Sequence, residues 1–327
     1  MDLNALFWRS EGETFFQRFH HWTNILDPTL LFSSNADIEN ARKHLQDTGE
    51  NITESLQDKK IKKAWYLSLA SVHTGTGDTI PVAYRPPAFL VCTAPLVIAS
   101  FLPYRGTKHA FLWQFIFHTY VAGFTLANGN SKKEANENAP EKMKELPYKQ
   151  FFLSTGAVLY SATLGALPQF FMARFKPQSS FVQGLIKYCI PGPVTAFCCA
   201  FNVMVIRSTE FESGIEVMDS KGNVIGVSQR AGEKAVKETA LSRAAMFCTA
   251  IWIPDLTLFC LRRKSFLLQN PLFLNPLRSL AMISILGAMV PVSFSWLPQI
   301  GKIKRSDLEP ELVSSTEETE FFFNKGL

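Results

Sequence analysis

Uncharged apolar runs alternate with charged stretches along the chain. Ala110–Asn128, Phe151–Met172 and Tyr188–Ile206 carry no Asp, Glu, Lys or Arg. Ala244–Leu261 carries only Asp255, and Leu277–Leu297 only Arg278. A hydrocarbon core takes about 20 apolar residues to cross as a helix, so these five runs predict spans near 110–128, 151–172, 188–206, 244–261 and 277–297. Without water the backbone must satisfy its own hydrogen bonds, which makes the spans helical. Core helices of a soluble domain would show charge along one face; these do not. Ala88–Leu102 is also uncharged but short, and Pro95 interrupts it. It reads as a short, tilted or re-entrant segment. Pro191-Gly192-Pro193 bends the third of the long uncharged runs, and Pro254 bends the next. Ala157, Ser161 and Gly165 form a small-residue face that lets two helices approach closely.

The remaining segments are aqueous. In 14–26, Phe15, Phe19 and Trp22 share one helical face, with Arg18 able to snorkel. Such a helix either lies on a membrane surface or packs on its own domain. Ser34 with Asp37 predicts a capped helix over 35–47, and Ser55 with Asp58 another over 56–72. Lys59, Lys60, Lys62 and Lys63 form a solvated face or touch anionic headgroups. His73–Ile80 is a polar, Gly-rich break. Residues 1–87 therefore form a mainly helical aqueous domain, 88–297 a membrane domain and 298–327 a C-terminal tail. Within the loop 207–243, Ile215–Met218 and Val224–Val227 flank a turn and predict a β-hairpin, followed by a helix over 231–243. The expected fold is an all-α polytopic membrane protein with one small hairpin.

Charge narrows the class. Among 327 residues the net charge is +5, spread over many loops with no basic stripe for nucleic acid. The six cysteines lie in apolar stretches, which excludes a disulfide scaffold. Asp2, Glu11 and Glu13 argue against a secretory signal or cleavable presequence. Counting the five long spans alone, loops 129–150, 207–243 and the tail hold more Lys and Arg than 103–109, 173–184 and 261–276. The positive-inside rule sets the richer group on the matrix or cytoplasmic side, with the short segment deciding the side of residues 1–87.

A polar group inside a span is a site candidate. Gln114 and His118 lie one helical turn apart and either line a polar path or bond to a neighbouring helix. Asp255 beside Pro254 either binds a proton, cation or amine or braces an Arg or His. Asn202 holds a substrate carboxylate or a neighbouring helix. Cys198 and Cys199 point to different sides of a helix and make a poor metal pair. No zinc, iron–sulfur, P-loop, Ser-His-Asp or HExxH spacing occurs, so neither a cofactor nor an enzyme is expected.

Several fragments, in order, resemble the sideroflexins, multi-spanning proteins of the mitochondrial inner membrane. They are Asp27-Pro28, Arg207 with Glu210, Gly214–Ser228 (GIEVMDSKGNVIGVS), Ser242-Arg243, Pro254, Pro298-Gln299 and the ending Phe321–Leu327 (FFFNKGL). Gln114, Asn128 and Asn202 also match the pattern. The departures resemble the family's divergent fourth branch. His73-Thr-Gly-Thr-Gly77 stands for HPDTG, and Ala88–Pro95 replaces a polar AQVPxN entry. Phe117, Val121 and Thr125 stand where Asn is typical, and Asp255 replaces a Pro. The family resemblance implies transport of serine or related small neutral amino acids. The fourth branch implies support of respiratory complex I assembly and iron homeostasis, through contacts with assembly factors. The substrate path of the carrier alternative would use Gln114, His118, Asn128, Asn202 and Asp255.

Overall fold

The computed structural model describes residues 2–11, 13–48, 58–102, 106–130, 146–262, 270–313 and 318–327. Five helices are long and apolar enough to cross a membrane. They are α6 (Thr107–Asn128), α7 (Leu146–Phe175), α8 (Ser180–Ile206), α10 (Gln229–Arg262) and α11 (Pro271–Trp296), with the short α9 (Ser208–Ser213) after α8. Their outer faces expose Phe151, Leu159, Phe171, Phe197 and Leu280, a load of apolar surface that lipid rather than water solvates. The polytopic helical class expected from the apolar runs is therefore the one observed.

The bounds differ where local chemistry was misread. The predicted helix over 231–243 and the span at 244–261 are one element, α10, 34 residues long. Helix α8 is broken by a π-turn at Leu185–Cys189 just before Pro191, and starts eight residues before the predicted run. Proline at the first turn of the resumed helix loses no hydrogen bond.

The small-residue face of α7 packs as its composition requires. Ala157 and Ser161 are buried, and a Cβ on Gly165 would lie 2.5 Å from Gln114 Oε1 of α6. Any larger residue there would have to displace the Gln114 side chain.

The short segment forms α5 (Pro86–Phe101). It lies antiparallel to α6: Phe89 packs on Phe124 near one end, and Ser100 donates to the Trp113 carbonyl near the other. The residues on either side of the six-helix bundle decide whether α5 crosses. Helices α1 (Leu3–Glu11) and α2 (Phe15–Ile25) touch the last turn of α11 and the C-terminal tail. Trp22 meets Phe294 with ring centroids 5.1 Å apart, and Arg9 lies 4.9 Å from the Phe322 ring. Five crossings would set these segments on opposite faces of a bilayer. Their contact requires an even number, so α5 completes the set, at about 24 Å for its 16 residues.

Helix α2 starts in a capping box, with Thr14 and Gln17 bonding reciprocally. Its Trp22 and Ile25 pack on the protein, and Trp22 stacks on Trp8. Arg18 does not snorkel: it is 5% exposed and donates to the carbonyls of Ser295 and Trp296. It thus satisfies the otherwise orphaned C-terminal carbonyls of α11. Phe15 and Phe16 point outward. Helix α3 (Asn35–Thr48) has the Ser34–Asp37 box expected for it. Helix α4 (Lys59–Ser71) begins on Asp58, whose side chain accepts from the Lys60 N–H at 2.8 Å. The predicted start at Ser55 lies outside the described residues, as does most of the loop 129–150.

The hairpin is present as β1 (Ile215–Met218) and β2 (Val224–Ser228). It is half of a four-stranded antiparallel sheet. The tail adds β3 (Ile300–Lys304) and β4 (Glu320–Asn324), in the order β2-β1-β4-β3. Phe321 and Phe323 alternate inward and are buried against Ile215, Val217 and Ala235.

The even crossing has a direct test. With native cysteines removed, an impermeant maleimide should label Glu39→Cys and Ser220→Cys from one side of sealed vesicles. Ser179→Cys should be reached only from the other side. Labelling of Glu39→Cys and Ser220→Cys from opposite faces would refute it.

Candidate functional site

The five candidate residues do not form one path. They fall into three groups at different depths of the bundle.

The middle group is a hydrogen-bonded chain across three helices. Asn202 of α8 donates through Nδ2 to His118 Nδ1 of α6 at 3.0 Å and accepts from Ser161 Oγ of α7 at 3.0 Å. Cys198 Sγ faces the Ser161 carbonyl at 3.7 Å. His118, Asn202, Ser161 and Cys198 are all 0% exposed. Accepting at Nδ1 fixes the neutral imidazole with its proton on Nε2, and Nε2 has no partner. Gln114, also buried, sits one turn away. Its Nε2 faces the Ser100 carbonyl at 3.5 Å, and its Oε1, against Gly165, has no partner.

The second group is an ion pair at the end of the bundle far from the sheet. Arg278 of α11 bonds both carboxylate oxygens of Asp255 of α10, Nε to Oδ1 at 2.5 Å and Nη2 to Oδ2 at 2.7 Å. Its Nη1 donates to the Phe101 carbonyl at the end of α5 at 2.7 Å. Asp255 is 0% and Arg278 6% exposed. The pair joins α10 to α11 and ties both to α5. Of the alternatives open for Asp255, the brace to an arginine is the one observed. Sequence reasoning did not single out Arg278; it is the one charge of its span, and a lone intramembrane charge implies a partner, which is the signal that could have found it.

Asn128 belongs to neither group. It lies ten residues beyond His118 on α6, roughly 15 Å along the axis, on the aqueous side of the bundle. Its Nδ2 donates to the carbonyls of Tyr84 and Phe124, and its own carbonyl accepts from the Leu327 N–H at 2.9 Å. It anchors the C-terminus.

That anchor is part of an extended polar assembly to which sequence reasoning assigned no role. Arg207 grips Glu210 with two nitrogens, at 2.6 and 2.8 Å, and also donates to Thr239 Oγ1 and the Lys325 carbonyl. Asn130 bridges Glu210 and the Asn324 carbonyl. His73 donates through Nε2 to the Gly129 carbonyl, while its Nδ1 accepts from the N–H groups of Gly75 and Thr76. The Gly-rich break 73–80 is thus a clasp on the end of α6. Gly326 sits at φ 70°, a conformation that favours glycine, with Arg207 Nη2 and the Asn128 carbonyl beside it. Lys325 is 4% exposed and donates to the Leu297 carbonyl. Burial and the nearby Arg243, Arg207 and Arg18 push its amine down to about 7, with Glu238 opposing. Arg243 is buried among the rings of Phe294, Phe89 and Phe124, at 4.3, 5.2 and 5.5 Å. Ring faces supply the attraction that a carboxylate would otherwise provide.

No group of three or more His, Cys, Asp or Glu able to hold a metal occurs among the described residues. The arrangement braces helices and locks the tail, and His118 Nε2 and Gln114 Oε1 are among the buried polar atoms it leaves without a partner.

A sequence model described as Sideroflexins matches residues 2–327. Sideroflexin-4 of Danio rerio is 44% identical over 100% of both chains. Sideroflexin-4 of Bos taurus is 39% identical over the same full length. Sideroflexin-5 of Homo sapiens is 26% identical, covering 98% of this chain and 91% of its own. No solved structure matches.

Two outcomes follow from the geometry. Asp255→Asn and Arg278→Gln should each destabilise the folded chain by about 3–5 kcal/mol, since each strands the other charge. The double change Asp255→Leu with Arg278→Met should recover most of that loss in a thermal melt in detergent. Single variants that melt like the wild type would disprove the brace. For Lys325, the folded amine loses its proton at about 7 and the unfolded one near 10.5. Between these values the unfolded chain binds more protons, so stability should rise with pH. Below pH 7 both states are protonated and the slope vanishes. Lys325→Met should lack this rise, so the rise should appear in the wild-type-minus-variant difference in melting temperature.

Proposed function

The chain belongs to the sideroflexin family, and from that premise we propose that it works in the mitochondrial inner membrane by holding partner proteins during assembly of respiratory complex I. Iron homeostasis is the linked outcome that the family resemblance implies. The observation that carries this reading is the closure of the bundle. His118, Asn202, Gln114 and Asp255 are each 0% exposed. Asn202 and Asp255 spend their bonding capacity on neighbouring helices. A zwitterion needs polar groups all along its route, because unpaired charge does not cross hydrocarbon. The candidate residues instead lie at three separate depths.

Contact with assembly factors needs exposed, recognisable surface on the aqueous side. Phe16 is 80% and Phe32 91% exposed on the N-terminal helices. Strand β2 is an edge of the sheet and exposes Val224 and Val227. Apolar side chains on an unpaired edge support addition of a partner strand.

A second reading, a carrier of small neutral amino acids such as serine, is favoured by His118 Nε2 and Gln114 Oε1. Both are buried inside the bundle without a partner, as groups reserved for a passing ligand would be.

The two readings separate in one pair of measurements. Deleting the gene should lower assembled complex I, and a His118→Leu chain, once shown to fold, should restore it. The same purified wild-type chain in proteoliposomes should take up serine, alanine or glycine no faster than empty vesicles. Normal complex I after deletion would end the assembly reading. Saturable uptake that His118→Leu abolishes would establish the carrier instead.

A further inference from the structure

A cleft and a groove meet on the wall of the bundle, at the end far from the sheet. The cleft, of about 360 Å³, lies among the ends of α5 and α7 and the starts of α8 and α11. Lys187, Arg278 and Gln169 supply its polar lining, and no Asp or Glu lines it. The groove, of about 390 Å³, runs between α7 and α8 and has apolar lining alone, including Leu164, Phe171 and Phe197. Pro168 and Ile186 line both, so one leads into the other. Phe171 and Phe197 are 45% and 54% exposed, which opens the groove to the hydrocarbon around the bundle.

The charge at the cleft does not cancel. Arg278 and Lys187 are two cations, and Asp255, bonded to Arg278, is one carboxylate. One positive charge remains in excess. Arg278 is held rigid by three bonds, yet its Nη1 and Nη2 each keep a second N–H. Lys187 is half-buried, with Nζ 5.3 Å from the Tyr188 ring. A fixed guanidinium and a half-buried ammonium in one cleft, next to an apolar channel, match a molecule with an anionic head and a hydrocarbon tail.

We propose that the cleft and groove hold one anionic phospholipid, its phosphate on Lys187 and Arg278 and one acyl chain along the groove between α7 and α8. The phosphate gains charge-assisted hydrogen bonds from both cations. The chain covers the apolar side chains of a helix pair whose continuity is broken at Leu185–Cys189. A small soluble anion would use the cleft and leave the groove without an occupant. An amino acid would find no free carboxylate for its ammonium, because Arg278 already holds both oxygens of Asp255. The assignment stands under either reading of function.

Native mass spectrometry of the full chain, released from mixed phosphatidylglycerol–phosphatidylcholine nanodiscs, tests it. The wild type should retain one phosphatidylglycerol in preference to phosphatidylcholine. Lys187→Gln, at a half-exposed position that should not prevent folding, should cut that retention about fivefold, the effect of one basic side chain on an anionic lipid. Leu164→Trp, which fills the groove and leaves both cations in place, should cut it as well. Millimolar inorganic phosphate and serine should not displace the lipid. Equal retention of the two lipids, or retention that neither variant changes, would overturn the proposal. Displacement by inorganic phosphate would assign the cleft to a small anion and overturn it too. Displacement by serine would overturn it in favour of a solute site.

Discussion

A carboxylate and a guanidinium placed in hydrocarbon each face a desolvation cost of several kcal/mol, and they offset it only by bonding to one another. Asp255 and Arg278 do this with two parallel hydrogen bonds, and the third goes to the backbone of α5. The same constraint shapes the rest of the bundle. Asn202 links His118 to Ser161 because an amide among lipid-solvated helices has no water to turn to. Arg243 settles among three Phe rings. Polar groups inside the bundle are therefore joints between helices before they are anything else. That makes a closed scaffold the natural product of this sequence.

At the aqueous end the joints serve a different purpose. The tail threads back as two strands, pairs with the hairpin, and ends against Asn128. Arg207 couples this ending to Glu210 and Thr239, on elements far apart in the chain. Helices α1 and α2 close on the same end through Arg18 and Trp22. A partner that docked on the sheet or on the N-terminal helices would thus meet a surface tied directly to the ends of α6 and α11. The far end carries the cleft, the broken helix and the Asp255–Arg278 brace.

The fold was legible because its signals are local. Long uncharged runs specify spans without knowledge of neighbours. Ser34 with Asp37 specifies a helix start, and Asp219 to Asn223 between two alternating segments specifies a hairpin. The site was legible only in its membership. His118, Asn202, Gln114 and Asp255 stand out as polar residues among apolar ones, but spacing along one helix does not say which other helix each will meet. Asn128 was grouped with them by resemblance and lies elsewhere, because its position on α6 puts it at the water-facing end. Arg18 was read as a surface residue because its helix is amphipathic; the exposed carbonyls ending α11 are what draw it inward.

By itself the sequence determined the five long helices that lipid can solvate and where the charged segments between them fall, since hydrophobic transfer acts residue by residue along a continuous run. Tertiary structure alone decided that the N-terminal helices meet the end of α11 and the tail, that the tail completes a sheet begun with the hairpin, and that Asp255 meets Arg278. Each of these depends on which distant group satisfies a buried charge, carbonyl or strand edge, and such pairing is set by the packing of elements rather than by the order of residues.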